Sequence, residues 1–250
     1  MLALVTGASS GIGRAFALRL GAAGNDLVVV GRRADRLDEI VAALPGVGVT
    51  PVVADLATQA GIEAVAAECG PVDMLVNNAG VAHYMAFAEL PLDKLDELLR
   101  VKVVAPTILA RAAVPGMVAR GNGTIINVAG MLGFSGPVKL PLKGTVYRAA
   151  LAHLVAFSQA LDDEVAPAVR VQVLCPGVVA TEFHTRQGMD LSALPRMSAD
   201  DVVTASLAGL RLGEVVCAPG VERRDLLDAV ADADRAAFAG QAPTLAARYR

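Results

Sequence analysis

Residues 6–13 read TGASSGIG, Thr6 to Gly13, and what flanks them fixes their meaning. LALVTG on the N-terminal side is an apolar run of strand length, and the residues after it, near 12–23, carry a helical pattern. Glycine at positions 7, 11 and 13 lets the chain turn tightly and approach a pyrophosphate. A helix N-terminus adds free N–H groups and a partial positive charge. Glycine-rich turns are common, but a loop that joins a first strand to a first helix is the setting a dinucleotide-binding loop requires. The residues assigned to it are Gly7, Ser9, Ser10, Gly11, Ile12 and Gly13.

Working outward, short apolar runs alternate with helical patterns through most of the chain, the signature of βαβ units on a parallel sheet. The strand candidates are LALVTG, DLVVVG, VTPVVAD, DMLVNN, TIINVAG, VRVQVLCPG and EVVCAPG. They are apolar throughout, as strands covered on both faces must be. Helices are expected near 12–23, 33–44, 58–68, 92–119, 146–165, 199–212 and 222–239. No Pro/Gly/Ser-rich stretch is long enough to separate domains. The fold class is therefore α/β: a single doubly wound Rossmann-type domain over 1–250 with a seven-stranded parallel sheet, and a C-terminal tail at about 240–250.

Composition narrows the partners. A formal charge of −3 and no basic block beyond Arg32-Arg33 argue against nucleic acid. Charges interrupt every apolar run before about 18 residues, so no membrane span is expected. Cys69, Cys175 and Cys217 are few and widely spaced, which suggests neither a disulfide framework nor a metal cluster and fits the cytoplasm. The chain opens directly into the first strand with no secretion signal expected.

The end of the second strand bears on which dinucleotide is bound. An NAD site usually offers Asp or Glu about 20 residues after the glycines to grip the ribose hydroxyls. Gly31-Arg32-Arg33 stands here instead, and guanidinium groups suit a 2′-phosphate by charge and by bidentate geometry. NADP (NADPH) is favoured over NAD; the plain alternative is two solvated surface arginines.

With TGASSGIG, ADL at 54–56, NNAG at 77–80 and CPGVVATEF at 175–183 in this order, the chain resembles the short-chain dehydrogenase/reductase family over about residues 1–215. The resemblance implies that Asp55 and Leu56 flank the adenine. It also implies that Asn78, Ala79 and Gly80 brace the sheet and touch the adenosine ribose, while Pro176, Gly177, Val179 and Thr181 hold the nicotinamide end. A substrate-covering segment at about 182–198 and a homodimer or homotetramer through the helices near 92–119 and 146–165 are implied as well.

Catalysis in that family rests on a serine after the fifth strand, a Tyr-x-x-x-Lys pair on the next helix, and an asparagine in the preceding long helix. Residues four apart share one helix face and can meet one ligand. Three of these four positions are changed here: Gly130 stands for the serine, Lys102 for the asparagine and Leu151 for the lysine, and Tyr147 alone remains. A free tyrosine has a pKa near 10 and is a poor base at neutral pH. Losing a positioned proton-transfer partner typically costs about 10²- to 10⁴-fold.

Lys102 is the candidate compensator. An ammonium beside the phenol would favour phenolate, whereas the plain reading lets it snorkel to the surface. Ser135 and Thr145, in an enlarged stretch before Tyr147, are candidate hydroxyls, and Lys139 and Lys143 are expected in solvent. The resemblance places His83 beside the substrate pocket and His184 at the start of the substrate-covering segment, while His153 faces along the tyrosine helix, packed or at a subunit contact; for each of the three a surface or core histidine is the preferred reading. The function expected is an NADP-dependent oxidoreductase of a carbonyl or alcohol, a small-molecule substrate, with a degenerate site. The competing readings are a nucleotide-binding protein with little turnover and a non-redox cyclase, dehydratase or isomerase on the same scaffold.

Overall fold

The computed structural model describes residues 1–141 and 143–250. The seven strands fall where the apolar runs place them: β1 Leu2–Thr6, β2 Asp26–Gly31, β3 Val49–Val53, β4 Met74–Asn77, β5 Thr124–Val128, β6 Arg170–Leu174 and the short β7 Val216–Cys217. All pairings are parallel, in the order β3-β2-β1-β4-β5-β6-β7. The central strands β4 and β5 are buried along their full length because helices cover both faces. The edge strand β3 has no fully buried residue, and it carries Pro51, which a sheet edge tolerates.

The helices are α1 Gly11–Ala22, α2 Ala34–Ala43, α3 Gln59–Ala67, α4 Leu92–Leu99, α5 Ala105–Arg120, α6 Thr145–Val165, α7 Glu182–Arg186, α8 Ala199–Arg211 and α9 Asp225–Ala239. Compared with the sequence reading, α7 within the substrate segment is new. So is a break in the long helix at 92–119: a π-type turn, Arg100–Val104, joins α4 to α5. Pro106 accounts for it. Proline has no N–H to return to the carbonyl of residue 102, and its ring crowds that carbonyl, so the regular ladder yields one turn earlier. Among the described residues, the stretch Leu92–Arg120 alone is long and apolar enough to cross a membrane. Its apolar side packs on α3, β4 and β5, with Leu98, Ala105, Leu109, Ala113 and Met117 buried.

Two buried polar networks tie helices to the sheet. Asn77 on β4 donates to Asn127 on β5 at 2.9 Å, and Asn127 donates to Ser158 on α6 at 2.9 Å. Ser158 closes the chain on its own helix at Leu154 O. Gln172 on β6 exchanges two hydrogen bonds with Ser206 on α8. The first network sets the position of α6, and so of Tyr147, against the end of β5.

The described residues divide into two compact units, Met1–Pro219 and Gly220–Arg250. The first holds the whole sheet. The second is α9 followed by a single 3₁₀ turn, Ala247–Tyr249, with an Arg224–Asp228 pair at 3.1 Å along the helix.

Candidate active site

The strand order reverses direction between β1 and β4, and in such sheets ligands bind in the crevice beyond the strand ends at that point. A cleft of about 960 Å³ opens there, at the upper end of the size of ligand sites. Its floor is the glycine loop. Ser10 precedes α1 without capping it through its side chain, and the first turn carries no acidic residue, so the helix N–H groups are left for an anion.

Gly7 has φ +65°, a left-handed backbone that glycine adopts without cost. Gly13 is required for a different reason: a Cβ there would lie 2.3 Å from Gly7 O and 2.4 Å from Asn78 Nδ2. Gly7, Ser9, Ser10, Gly11 and Ile12 line the cleft as expected. Gly13 does not; it is buried behind the loop, where its missing side chain lets the loop close on β4.

That closure is held by Asn78 and Thr6. Asn78 Nδ2 donates to Thr6 O at 3.0 Å and to Gly7 O at 3.3 Å. The Thr6 hydroxyl accepts from the backbone N–H groups of Asn78 and Ala79. The NNAG turn thus positions the glycine loop and lines the same cleft with Asn78, Ala79 and Gly80. Asp55 and Leu56, and Pro176, Gly177, Val179 and Thr181, line it from opposite ends. Thr181 caps α7, accepting from Phe183 N.

Arg32 is exposed at the rim of the cleft. Arg33 reaches across it. Its Nη2 donates to Ser9 O at 3.0 Å and Ser9 Oγ at 3.2 Å, and its Nη1 lies 3.6 Å from Glu182 on α7. Of the two arginines, only Arg32 fits the plain solvated reading in this arrangement.

The tetrad positions also meet in the cleft. Tyr147 is only 7% exposed, and Leu151, one turn along α6, is 1% exposed. A Cβ added to Gly130 would make ordinary contacts, 3.5 Å to Leu151 Cδ1 and 3.6 Å to Pro176 O. Leu151 therefore fills apolar space beside Gly130.

Lys102 is buried, which overturns the snorkelling alternative. The π-type turn directs it inward, its head lies over Gly80, and Nζ donates to Val128 O at 3.3 Å. Burial lowers its pKa from 10.5 to about 8. The candidate pull of Lys102 on the phenol does not appear among the causes acting on Tyr147. Tyr147 is pushed well above 10.0, first by burial and then by its neighbour Tyr84. Lys102 is a charge in the same cleft but is bonded elsewhere.

The sequence reading missed the aromatic wall. Tyr84 meets Tyr147 edge-on with ring centroids 5.5 Å apart, Phe183 lies 6.3 Å from Tyr147, and His184 stacks on Tyr84 at 6.4 Å. The chain has only three Tyr, six Phe and no Trp, so gathering Tyr84, Tyr147 and Phe183 at one site is a marked concentration. HYMAF at 83–87 holds the only hint of it in the sequence.

His83 lines the cleft and pairs with Glu97 at 3.2 Å. His184 lines it too, its pKa lowered by burial and then by Arg196. His153 instead stacks on Phe157 of its own helix. Ser135 borders the cleft, where its hydroxyl donates to Leu132 O and accepts from Arg148 Nε. Thr145, Lys139 and Lys143 are exposed.

These features define a nicotinamide-nucleotide oxidoreductase site on a doubly wound sheet. A family profile described as short chain dehydrogenase matches residues 1–191, and the chain belongs to that family. Mouse L-xylulose reductase is 37% identical over 181 residues, covering 72% of each chain. A short-chain dehydrogenase from Sphingobium yanoikuyae, solved in complex with NADPH, superposes with a TM-score of 0.94 at 34% identity over 100% of this chain and 99% of its own. The bulky-bulky ketone specific alcohol dehydrogenase from Comamonas testosteroni gives 0.89 at 27% identity, covering 99% and 97%.

Proposed function

We propose that this protein is an NADP-dependent reductase of ketones that carry bulky apolar substituents, running in reverse on the matching secondary alcohols. One observation carries the reading: a single cleft runs from the uncapped N-terminus of α1 to an aromatic and apolar wall of Tyr84, Tyr147, Phe183, Met189 and Leu191. Gly7 to Ile12 would receive the diphosphate and Arg32 with Arg33 the 2′-phosphate, while Pro176, Gly177, Val179 and Thr181 would hold the other end. When bound, the nucleotide supplies the hydride.

The chain's own residues do the rest. Tyr147 gives its proton to the carbonyl oxygen as negative charge develops there. Because burial makes the phenolate costly, Tyr147 keeps its proton until an alkoxide, a far stronger base, draws it away. The Lys102 ammonium adds a fixed positive charge to the cleft below about pH 8, in place of the polarising serine. The apolar wall excludes water and selects for bulk. Likeness to the Comamonas enzyme, with the ketone class its name states, favours the same choice of substrate.

The test is NADPH oxidation at 340 nm across ketones graded from acetone to aryl alkyl and diaryl compounds. Turnover should rise with apolar bulk, fall by about 10²-fold or more in Tyr147→Phe, and shift toward NADH when Arg32 and Arg33 are both changed to alanine. Tight NADPH binding with no turnover on any member would overturn it in favour of a nucleotide-binding protein. A homo-oligomer built on α4–α5 and α6 goes with this reading, and size-exclusion chromatography decides it.

A further inference from the structure

The stretch between β5 and α6 supplies apolar wall to the cleft from a position with little packing of its own. Leu132, Ser135 and Leu140 line the cleft, whereas Gly136, Pro137, Val138 and Lys139 are exposed. The start of the stretch is fixed. Met131–Phe134 is a 3₁₀ turn, Met131 N donates to Pro176 O at 3.0 Å, and a Cβ at Gly133 would lie 3.2 Å from Leu151 O, so this turn rests directly on α6. The part beyond it is held by Arg148.

Arg148 follows Tyr147 on α6, about 100° further round the helix, so the two share an element and not a face. A helical side chain leans toward the N-terminus of its helix, the end at which this stretch arrives. Arg148 Nε donates to Ser135 Oγ at 2.7 Å, and Nη2 donates to Ser135 O and, at 3.2 Å, to Val138 O. The Ser135 hydroxyl donates onward to Leu132 O. One guanidinium thus gathers the chain from Leu132 to Val138, and Ser135 is left 6% exposed. Nε and Nη2 lie on one edge of the guanidinium plane and meet both oxygens of a single residue, a fork that an ammonium does not reproduce. Among the described residues no other side chain bonds 135–138.

We propose that Arg148 is a positioning residue for substrate selection: its guanidinium clamps 132–138 on α6 so that Leu132 and Leu140 stand as a wall against the apolar substituent of the ketone. The inference rests on the reading that bulky ketones occupy this cleft. Arg148 does not itself line the cleft and takes no part in proton or hydride transfer. It acts through the two leucines on either side of the residues that it grips. Without the guanidinium, Ser135 and Val138 turn their freed acceptors to water, and the exposed stretch carries Leu140 with it.

The clamp is tested first without substrate. Lys139 and Lys143 are exposed trypsin sites beside the gripped residues. With circular dichroism confirming the fold, Arg148→Met should speed cleavage after both by about tenfold, the size expected for loss of a hydrogen bond from a charged donor. Cleavage after the exposed Arg223 serves as the control and should not change. Arg148→Lys, which keeps the charge and loses the fork, should fall between the two and keeps the test open should the methionine variant fail to fold. Wild-type cleavage rates after Lys139 and Lys143 in both variants would overturn the clamp.

Selection is read from the split between KM and kcat. Arg148→Met should raise KM for valerophenone by about tenfold, with kcat within about threefold because Tyr147 stays on the same rigid helix. Acetone has no substituent to lay on the wall, and its kcat/KM and the affinity for NADPH should both stay within about twofold. Arg148→Lys should recover part of the valerophenone KM. Equal losses on the two ketones, or an unchanged valerophenone KM, would overturn the selective role. A wild-type protein that turns over no ketone would instead overturn the proposed reaction and this selective role with it, while the trypsin result still decides whether Arg148 holds the stretch.

Discussion

Replacing Lys102 with methionine should make the protein more stable near neutral pH, and the size of the effect follows from where the ammonium sits. Lys102 is 4% exposed, it donates a hydrogen bond to Val128 O, and burial takes its pKa from 10.5 to about 8. Between those two values the unfolded chain still holds a proton that the native lysine has released, so stability rises with pH across the window. Below it the native state carries the whole cost, about 3 kcal/mol at roughly 1.4 kcal/mol per pH unit. Methionine has a similar length and no charge. Losing the hydrogen bond gives back about 1 kcal/mol, which leaves the variant ahead by about 2 kcal/mol near pH 7. Its advantage should shrink through about pH 8 to 10 and reverse slightly above that range. Urea unfolding of both proteins at a series of pH values gives the difference directly from the midpoints, provided the slopes agree. A difference that does not change with pH, or a variant less stable near pH 7, would falsify the account of a desolvated ammonium.

Three other outcomes follow from the same geometry. Gly13→Ala should weaken NADPH binding by about tenfold or more and cost about 1–3 kcal/mol of stability, because a methyl group would drive into Gly7 O; a fluorescence titration and a melting curve measure both. Ser158→Ala should cost about 1–3 kcal/mol by leaving the Asn127 amide without its acceptor, read by chemical unfolding, while a neutral result would mean that water takes its place. The three thiols should resist a disulfide reagent in the native protein at mildly alkaline pH and react fully in denaturant, since all are buried and burial pushes Cys69 and Cys175 to about 12.

The sheet was legible because each strand is an apolar run of the right length between turn residues, and parallel strands covered on both faces have to be so. The glycine loop was legible for a related reason: its shape comes from backbone and from glycines that only one local conformation explains, and those are encoded within a few consecutive residues. Gly13 shows the limit. Its type was read correctly, but its place behind the loop depends on Asn78, which arrives from another strand.

The catalytic end depends on side chains brought together from separate elements. That Lys102 turns inward follows from Pro106 and the π-type turn it forces, and that it bonds Val128 rather than Tyr147 follows from the packing of α5 on β5. Tyr84 reaches Tyr147 because the order of the sheet sets the end of β4 beside that of β5, and α6 rests on β5 through Asn127 and Ser158. The sequence alone determined the architecture and the glycine-rich turn between the first strand and the first helix, since these are matters of local pattern. Only the tertiary structure decided where the remaining charge lies and which phenol faces Tyr147, because distances between strands are set by packing and by no spacing along the chain.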